Sequence, residues 1–308
     1  MSNAPFVTDS VRTAIALAYK NRAFVADEVM PRAAVAAENF KWTSYNKEDR
    51  FTIPSTLVDR KGKLNQVEFG GTEDSAMTND YGLEDVIPQK DIDNAAIAGF
   101  DPLGNATELL SELIMLERES RVAGIVHNIA TYASGMSETL AAGDKWSAAT
   151  GKPLDQIMDA LEVPFMRPNV MTLNSAGLLA LRRNDQILQS YHGNTGTEGM
   201  VPVSYLRDLL ELDAIIIGRA RYNSANKGQT MTLTELWGNH CALTYRNISA
   251  MPNKGLTFGL TAEFGRRIAR SKRDDDIGLR GATIQQVGES VKELVLANDT
   301  GYFISGVI

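Results

Sequence analysis

The sequence has one cysteine in 308 residues, Cys241, and this scarcity excludes an internal disulfide framework. Its start also lacks a basic segment followed by a long apolar run, so the pattern of a secretory signal is absent. We therefore expect the protein to work in a reducing cytoplasm, or in a particle assembled there, without a membrane partner.

Positive charge is also in deficit. Lys and Arg number 31 against 38 Asp and Glu, a formal net charge of −7. A protein whose main surface grips nucleic acid usually has the opposite sign, although a local basic patch is compatible with these numbers. The 44% hydrophobic and 22% charged fractions are ordinary for a folded soluble chain, long enough for one large domain or two medium ones.

The common nucleotide and hydrolase motifs are missing. A phosphate-binding P-loop needs a glycine, four spacers and Gly-Lys-Ser/Thr, but Gly151-Lys152 is followed by Pro153, and Trp146 stands at the first glycine position. No Gly-x-Gly-x-x-Gly follows a predicted strand, and no Gly-x-Ser-x-Gly occurs.

Histidine and cysteine offer little for catalysis. His240 and Cys241 are adjacent, so in a strand their side chains point to opposite faces. A Cys–His nucleophilic pair formed with a distant residue stays open, beside the plainer interpretation of Cys241 as a small buried hydrophobe. His127 falls on the polar side of a predicted helix, where we expect a structural or solvated role. We predict no catalytic residue and no cofactor.

One acidic run deserves a metal hypothesis: Asp274, Asp275 and Asp276 could bind calcium or magnesium through oxygen atoms. They lack the spacing of a calcium loop, and Lys272 and Arg273 precede them directly. This arrangement favours ion pairing between subunits or simple solvation, so we predict no metal site.

The most informative stretch runs from Asn105 to Ser134 and predicts one helix of about 45 Å at 1.5 Å per residue. Asn105 with Glu108 three residues later is a variant of the capping box, and Gly135 follows as a left-handed stop. Charges in its middle exclude a membrane span. The alternatives are two shorter helices broken near Ser120 and a helix bent around a single core.

The apolar side of this helix changes face halfway along. At 100° per residue, one cluster comprises Leu109, Leu110, Leu113, Ile114 and Leu116. The second, roughly opposite cluster comprises Val122, Ile125, Val126, Ile129 and Ala130. Between them lies a charged belt of Glu117, Arg118, Glu119, Ser120 and Arg121. We therefore expect the two halves of the helix to pack on different surfaces.

The start of the chain has little core of its own. A short amphipathic helix is predicted from Val11 to Lys20. Residues 21–39 are interpreted as an extended arm, because Pro31 is incompatible with an ordinary helix interior. An edge strand is the alternative for this arm.

Residues 40–71 predict a long charged hairpin. Its spaced apolar residues are Phe51, Ile53, Val58, Leu64, Val67 and Phe69. The turn from Asp59 to Lys63 contains Gly62, which is free to take a positive φ. Because an isolated hairpin is marginal in water, this one must lie either on its own domain or on a neighbouring subunit. The acidic stretch from Thr72 to Gln89 is predicted to be connecting or docking chain rather than core.

The rest of the chain alternates helices and strands, then ends in β structure. A compact α/β module is predicted from about Gly151 to Leu243. Its expected elements are a helix start at Pro153, strands at Asn169–Leu173 and Ala214–Ile217, and helices at Ser175–Arg183, Gln186–Tyr191 and Tyr205–Leu212. His192–Met200 is expected to be its most mobile loop. Long strands follow at Leu256–Phe264 and Thr283–Ala297, joined by a charged excursion at Arg266–Gly281, with a last strand at Tyr302–Ile308.

Several of these stretches resemble a known family. They are VADEVMPR at Val25–Arg32, the acidic run at Val67–Ala95, DPLGNATELLSELIMLERESRVA at Asp101–Ala123, WGNHCALTYRN at Trp237–Asn247, TFGLTAEFGRRIA at Thr257–Ala269 and IGLRGATIQQVGESVKELV at Ile277–Val295. In this order, over nearly the whole chain, the sequence resembles bacteriophage major capsid proteins of the Hong Kong 97 fold, particularly the lambda-like group without a large inserted domain.

The resemblance implies an α+β fold with four parts. Residues 1–39 would be an N-terminal arm, and 40–71 an extended hairpin loop that lies on the next subunit. Residues 72–150 and 243–308 would form a peripheral domain on the long helix as its spine, with 266–281 as its tip. Residues 151–242 would form an axial domain.

The resemblance also implies a structural role. Hexamers and pentamers would build an icosahedral shell that encloses double-stranded DNA without sequence-specific binding, in a virion assembled in the host cytoplasm. Scaffold, portal and decoration proteins are the candidate partners. An encapsulin-type compartment of the same fold, a soluble α/β enzyme using Cys241, and a tail or adaptor protein that forms rings or tubes are the alternatives.

Charged residues of the loop, the belt and the tip then become candidate contacts between subunits. They are Arg60, Lys61, Lys63, Glu68, Glu117, Arg118, Glu119, Arg121, Lys272, Arg273, Asp274, Asp275 and Asp276. In some family members a loop lysine forms an isopeptide bond with an asparagine of another subunit. Lys61 and Lys63 stand in that loop, but no acceptor or assisting carboxylate matches here, so we do not predict crosslinking.

Overall fold

The computed structural model describes residues 23–45, 52–68, 70–97, 101–193, 198–226, 228–252 and 254–308. Its helices are α1 (Ala26–Val29), α2 (Gln89–Ile97), α3 (Pro102–Val126), α4 (Pro153–Glu162), α5 (Ser175–Arg183), α6 (Asp185–His192) and α7 (Val203–Leu209). The helix predicted at Val11–Lys20 and residues 194–197 of the glycine-rich loop lie outside the described residues.

The strands fall into four sheets. They are β1 (Arg32–Val35), β2 (Asn39–Tyr45), β3 (Gly71–Met77), β4 (Asn79–Pro88), β5 (Ser137–Thr139), β6 (Val170–Asn174), β7 (Ala214–Gly218), β8 (Arg221–Asn223), β9 (Leu233–Glu235), β10 (His240–Thr244), β11 (Gly259–Asp274), β12 (Ala282–Val295) and β13 (Gly301–Ser305). Strands β2 and β3 pair with each other, as do β8 and β9.

The first layer is a four-stranded sheet that contains the longest strands, in the order β1-β11-β12-β4. Strand β1 is parallel to β11, whereas β12 is antiparallel to both of its neighbours, β11 and β4. Burial nearly alternates along β12, as expected when one face of a sheet is covered. The cover is the long helix α3, whose Leu110 and Ile114 pack on Ala269 and Val287.

The second layer is a five-stranded sheet in the order β5-β13-β10-β6-β7. Strand β6 is buried along its whole length, because helices α4 to α7 supply leucine and isoleucine side chains to the same core. The predicted strands and helices of this module are confirmed, with α5 at its predicted bounds. The predicted last strand is present as β13, which ends at Ser305 rather than Ile308 and pairs with β10 and β5.

The two apolar faces of α3 pack on different surfaces, as predicted. Its second half contributes Val122, Ala123 and Val126 to a core that also contains Trp237 and Phe258. The helix is continuous past Ser120, so the alternative of two shorter helices is wrong. No helix in the described ranges is long and apolar enough to cross a membrane.

The ends of α3 differ from the prediction. Asp101 is the N-cap, its side chain accepts from the amide of Leu103 at 3.1 Å, and Pro102 occupies the first turn. Asn105 therefore lies inside the helix. The helix ends at Val126, before the last predicted turns, and Gly135 has the expected positive φ of 82° well beyond it.

Two segments that we predicted to be arm or connecting chain are ordered parts of the fold. Val25, Ala26, Val29 and Met30 are buried in the core beside α3, and β1 is an edge strand, which confirms the alternative for that range. The acidic stretch forms β3 and β4. Most side chains of β4 are exposed, and its backbone pairs with β12.

The charged excursion and the hairpin loop also differ in extent. Strand β11 continues to Asp274 after a register shift between Phe264 and Ile268, where Gly265 has a φ of 73°. The turn to β12 is therefore shorter than predicted. In the loop, residues 52–59 and 62–68 have no regular strand, and Gly62 takes no positive φ because it closes an ordinary turn to the carbonyl of Asp59.

Candidate functional site

Two residues of the charged belt of α3, Arg118 and Glu119, are buried inside the subunit. The guanidinium of Arg118 donates to the carboxylate of Asp27 and, at 3.0 Å, to the hydroxyl of Thr261. Its side chain is 2% exposed. Both partners belong to segments remote in sequence, the first α-helical turn and β11. Arg118 thus joins the start of the described chain to the four-stranded sheet.

Glu119 is completely buried next to it. Its carboxylate accepts hydrogen bonds from the amide of Ala26 at 2.7 Å and from Nε1 of Trp237 at 2.7 Å, and both oxygens lie 3.0 Å from the amide of Val25. Burial raises the pKa of Glu119 above its ordinary value, and these hydrogen bonds oppose that shift.

The four-stranded sheet contains a second buried carboxylate, Glu289 of β12. Its Oε2 accepts from Arg32 and from Arg267, each at 3.0 Å. Burial by itself would raise the pKa of Glu289, but the charges of these two guanidinium groups hold it below the ordinary value. Strands β1, β11 and β12 are therefore joined through one carboxylate.

The remaining belt residues are nearer the surface. Arg121 pairs with Glu117 one turn before it and, at 3.0 Å, with Glu293 of β12. Its guanidinium carbon also lies 3.7 Å from the ring centroid of Tyr81 on β4. Of the belt residues that we predicted to contact other subunits, Arg118 and Glu119 make their contacts within the subunit, and Glu117 is half-exposed.

The loop at residues 52–68 has the opposite character. Arg60, Lys61, Lys63 and Glu68 are all exposed there. The apolar side chains beside them are exposed as well: Ile53 is 94%, Leu57 86% and Leu64 80% exposed. An exposed apolar group of this size marks a contact surface or an aggregation hazard in a soluble subunit.

The turn between β11 and β12 is a second exposed projection, which we call the tip (residues 272–281). Arg273 pairs with Asp275 at 2.7 Å, and Asp274 accepts from the amide of Asp276 at 3.0 Å, while Lys272 is exposed. Leu279 is also fully exposed at the tip. The sequence analysis did not single out this leucine, although an isolated apolar residue in a charged turn indicates an exposed side chain.

The acidic run of the tip shows no metal-site geometry. Within the described ranges, no group of three or more His, Cys, Asp or Glu residues could hold a metal ion. The aspartates instead make the local contacts of a turn.

The catalytic candidates are buried. Cys241 is completely buried on β10, and burial raises the pKa of its thiol, so the thiolate that nucleophilic attack needs is disfavoured. His127 follows α3, with its ring centroid 5.6 Å from that of His240 and 5.0 Å from that of Trp237. Burial, together with the nearby His240, lowers the pKa of His127 to about 3. The predicted structural role of His127 agrees with this position, while its predicted polar surroundings do not.

An apolar groove runs along the outer side of the first half of α3. Leu109 and Leu113, which are 53% and 52% exposed, line it with Phe24 and Leu116, and the groove encloses about 370 Å³. Together with the loop and the tip, it gives the subunit several separate exposed apolar surfaces.

Comparisons with known proteins agree with this organisation. No family model matches the chain. The major capsid protein of Pseudomonas phage JBD67 is 46% identical over 308 residues, covering all of this chain and 99% of that protein. Among solved structures, a phage-related protein from Bordetella bronchiseptica RB50 has a TM-score of 0.75 at 20% identity and covers 98% of both chains.

Two further structures share the fold at lower similarity. The capsid structure of cyanophage P-SCSP1u has a TM-score of 0.60 at 11% identity, covering 99% of this chain and 92% of that one. An encapsulin from Synechococcus elongatus PCC 7942 has a TM-score of 0.54 at 10% identity, covering 99% and 92%. The encapsulin likeness shows the fold alone, whereas the Pseudomonas phage relative matches in sequence from end to end. The chain therefore belongs to the major capsid proteins of tailed bacteriophages, which have the Hong Kong 97 fold and assemble with copies of themselves into the virion shell.

Proposed function

We propose that this chain assembles in the host cytoplasm, as hexamers and pentamers, into an icosahedral shell around a double-stranded DNA genome. The observation that carries the proposal is the loop at residues 52–68, where large apolar side chains are almost fully exposed next to a basic turn. A stable monomer gains nothing from this exposure, whereas a neighbouring subunit can cover the same side chains.

The basic turn of the loop has a complementary surface on the same subunit type. Arg60, Lys61 and Lys63 are exposed at the turn, and Asp80 and Asp85 are exposed on the edge strand β4. We therefore place the loop of one subunit against the acidic edge of the next. Contacts of this kind, repeated in a closed symmetric array, sum to a stable shell although each is weak.

The tip and the half-exposed Glu117 are the other proposed contacts between subunits. At the tip, Lys272, Arg273 and the three aspartates would pair with a neighbour, and Leu279 would add apolar area. Residues 1–39, 40–71, 72–150 with 243–308, and 151–242 keep the proposed roles of arm, loop, peripheral domain and axial domain. Strands β5 and β13 fall in the third range but lie in the same five-stranded sheet as β6 and β7 of the fourth.

The net charge of −7 supports enclosure of DNA without sequence-specific binding, because a shell that bound phosphate tightly would oppose release of the genome. Scaffold, portal and decoration proteins are proposed partners on the strength of the family.

Electron microscopy of the purified full chain, alone and with a candidate scaffold protein, tests the proposal. We expect closed shells of uniform diameter in at least one of the two preparations. A chain that stays monomeric at high concentration in both, or that forms only rings or tubes, would contradict it.

A further inference from the structure

Glu119 poses a physical question, because a carboxylate in the middle of a helix is completely buried. Removing such a charge from water is costly unless hydrogen bonds compensate it. All the donors that its oxygens meet are N–H groups: the backbone amides of Val25 and Ala26 and the indole of Trp237. An ionised carboxylate only accepts hydrogen bonds, so this set of donors matches it.

The first of these contacts holds the start of the described chain. Helix α1 has no side-chain cap from its own sequence, and the carboxylate of Glu119 takes that place from 93 residues away. The neighbouring Arg118 holds the far end of the same turn, through the carboxylate of Asp27 and the carbonyl of Met30. Two adjacent residues of α3 thus clamp residues 25–30.

The second contact reaches the other layer of the subunit. Trp237 lies just before β10 and is completely buried, with its ring edge-on to His127 at 5.0 Å between centroids. On its other side it fits against Gly218 of β7, where a Cβ atom would lie 2.2 Å from the ring. The indole therefore has no room to move away, and its N–H is fixed toward Glu119.

We propose that Glu119 is a positioning residue for assembly: it ties the start of the described chain, the long helix and the five-stranded sheet together at one point. It thereby fixes the position of residues 25–30 on α3 and the angle between α3 and the five-stranded sheet. The consequence for the shell rests on the function proposed above, since a closed array needs subunits that present their contacts at one angle.

The substitution Glu119→Gln tests this role with little change in volume. Its amide nitrogen would replace one of the two carboxylate oxygens. Because the amide of Val25 contacts both oxygens, and because the negative charge is lost, the hydrogen bonds to residues 25 and 26 weaken in either orientation of the glutamine. Hydrogen exchange in the unassembled full chain should show backbone amides of residues 24–30 exchanging at least about tenfold faster, as expected when a buried charged hydrogen bond is lost. The matched control is Glu117→Gln, two residues earlier in the same belt, which should leave these amides at the wild-type rate.

A second variant separates the two contacts. Trp237→Phe keeps an aromatic ring but removes the indole N–H, so exchange at Val25 and Ala26 should stay near the wild-type rate while the link to the five-stranded sheet is lost. Shell yield, measured by electron microscopy, should fall at least about tenfold for Glu119→Gln, because a lost charged hydrogen bond shifts the equilibrium away from the correctly positioned subunit by about a factor of ten.

Two results would overturn the inference: wild-type exchange rates at residues 24–30 in Glu119→Gln, or amides of Val25 and Ala26 in the wild-type chain that exchange as fast as those of the loop at residues 52–68. The second measurement needs no variant, so it decides the matter even where Glu119→Gln does not fold. Failure of the wild-type chain to form shells would instead contradict the proposed function and leave the exchange result standing.

Discussion

The charged belt of the long helix and the loop at residues 52–68 contain similar residues in opposite surroundings. In the belt, Arg118 and Glu119 are buried and each has partners inside the subunit. In the loop, Arg60 and Lys61 are exposed beside apolar side chains that are exposed too. The difference teaches that charge alone does not mark a contact between subunits. Exposed charge together with exposed apolar area does, because that combination leaves something to be buried on assembly.

The largest expected effect on the subunit itself comes from the buried side of this comparison. Glu289→Ala leaves the guanidinium groups of Arg32 and Arg267 without their shared carboxylate. Breaking a buried pair by removing one partner costs about 3–5 kcal/mol, so we expect the free energy of unfolding to fall by that amount in urea denaturation of the unassembled chain.

The control for this prediction is Glu117→Gln, which removes a half-exposed partner of Arg121. A surface pair contributes about 0–1 kcal/mol, so the control should stay within that range. Equal losses in the two variants would show that burial does not separate the two kinds of charge in this subunit.

The next effect concerns a buried group that must stay uncharged. The pKa of His127 is lowered to about 3 by burial and by the nearby His240, whereas in the unfolded chain it lies near 6.5. Below pH 6.5 the unfolded chain binds a proton that the folded chain does not. The free energy of unfolding therefore decreases as the pH is lowered, by roughly 2 kcal/mol from pH 6.5 to pH 5.

His127→Leu removes this contribution. Urea denaturation at pH 6.5 and pH 5 should show a smaller loss of stability on acidification for the leucine variant than for the wild type, by about 2 kcal/mol. His192→Gln, which changes an exposed histidine, is the matched control. Parallel pH dependences of the wild type and His127→Leu would refute the prediction.

The smallest effect on the subunit, and a large one on the shell, is expected in the loop. Replacing both Ile53 and Leu64 with serine removes side chains that are 94% and 80% exposed, so the free energy of unfolding of the unassembled chain should change by less than about 0.5 kcal/mol. Closed shells should nevertheless become rare in electron micrographs, since each lost side chain takes about 1.5–3 kcal/mol of burial from every contact.

Thr56→Ser, at another exposed position of the loop, is the control and should form shells normally. Wild-type shell yield in the double variant would mean that the exposed apolar side chains of the loop are not the contact, and the comparison between belt and loop would lose its functional meaning.

The local sequence pattern predicted much of the fold. The change of face in the long helix follows from residue spacing alone, and the structure confirms it through separate contacts of Leu110 and Val126. The start of this helix was harder to predict, because Asp101 and Asn105 can both cap a helix. Only the folded structure shows that Asp101 is the N-cap. Likewise, polar residues of β11 looked like a loop, although a strand with one solvent face carries such residues normally.

The residues of the candidate site also fall into those that the sequence could predict and those that it could not. The charged turn of the loop can be read from the residues themselves. A pair of Cys241 with a distant histidine could not be excluded from the sequence, and it is the structure that shows the thiol completely buried. The partners of Arg118 and Glu119 cannot be read from the sequence either, since Asp27 lies 91 residues away and Trp237 lies 118 residues away along the chain. Nothing in a local window indicates such pairs.

The sequence by itself determined the periodicities, the absence of known catalytic motifs and the order of segments that resembles phage capsid proteins, because each of these depends on neighbouring residues or on their order. Only the tertiary structure decided which charges are buried. Whether a carboxylate such as Glu119 faces water or three N–H donors depends on segments that folding brings together. These segments are far apart along the chain, so the local sequence around Glu119 does not indicate that they meet there.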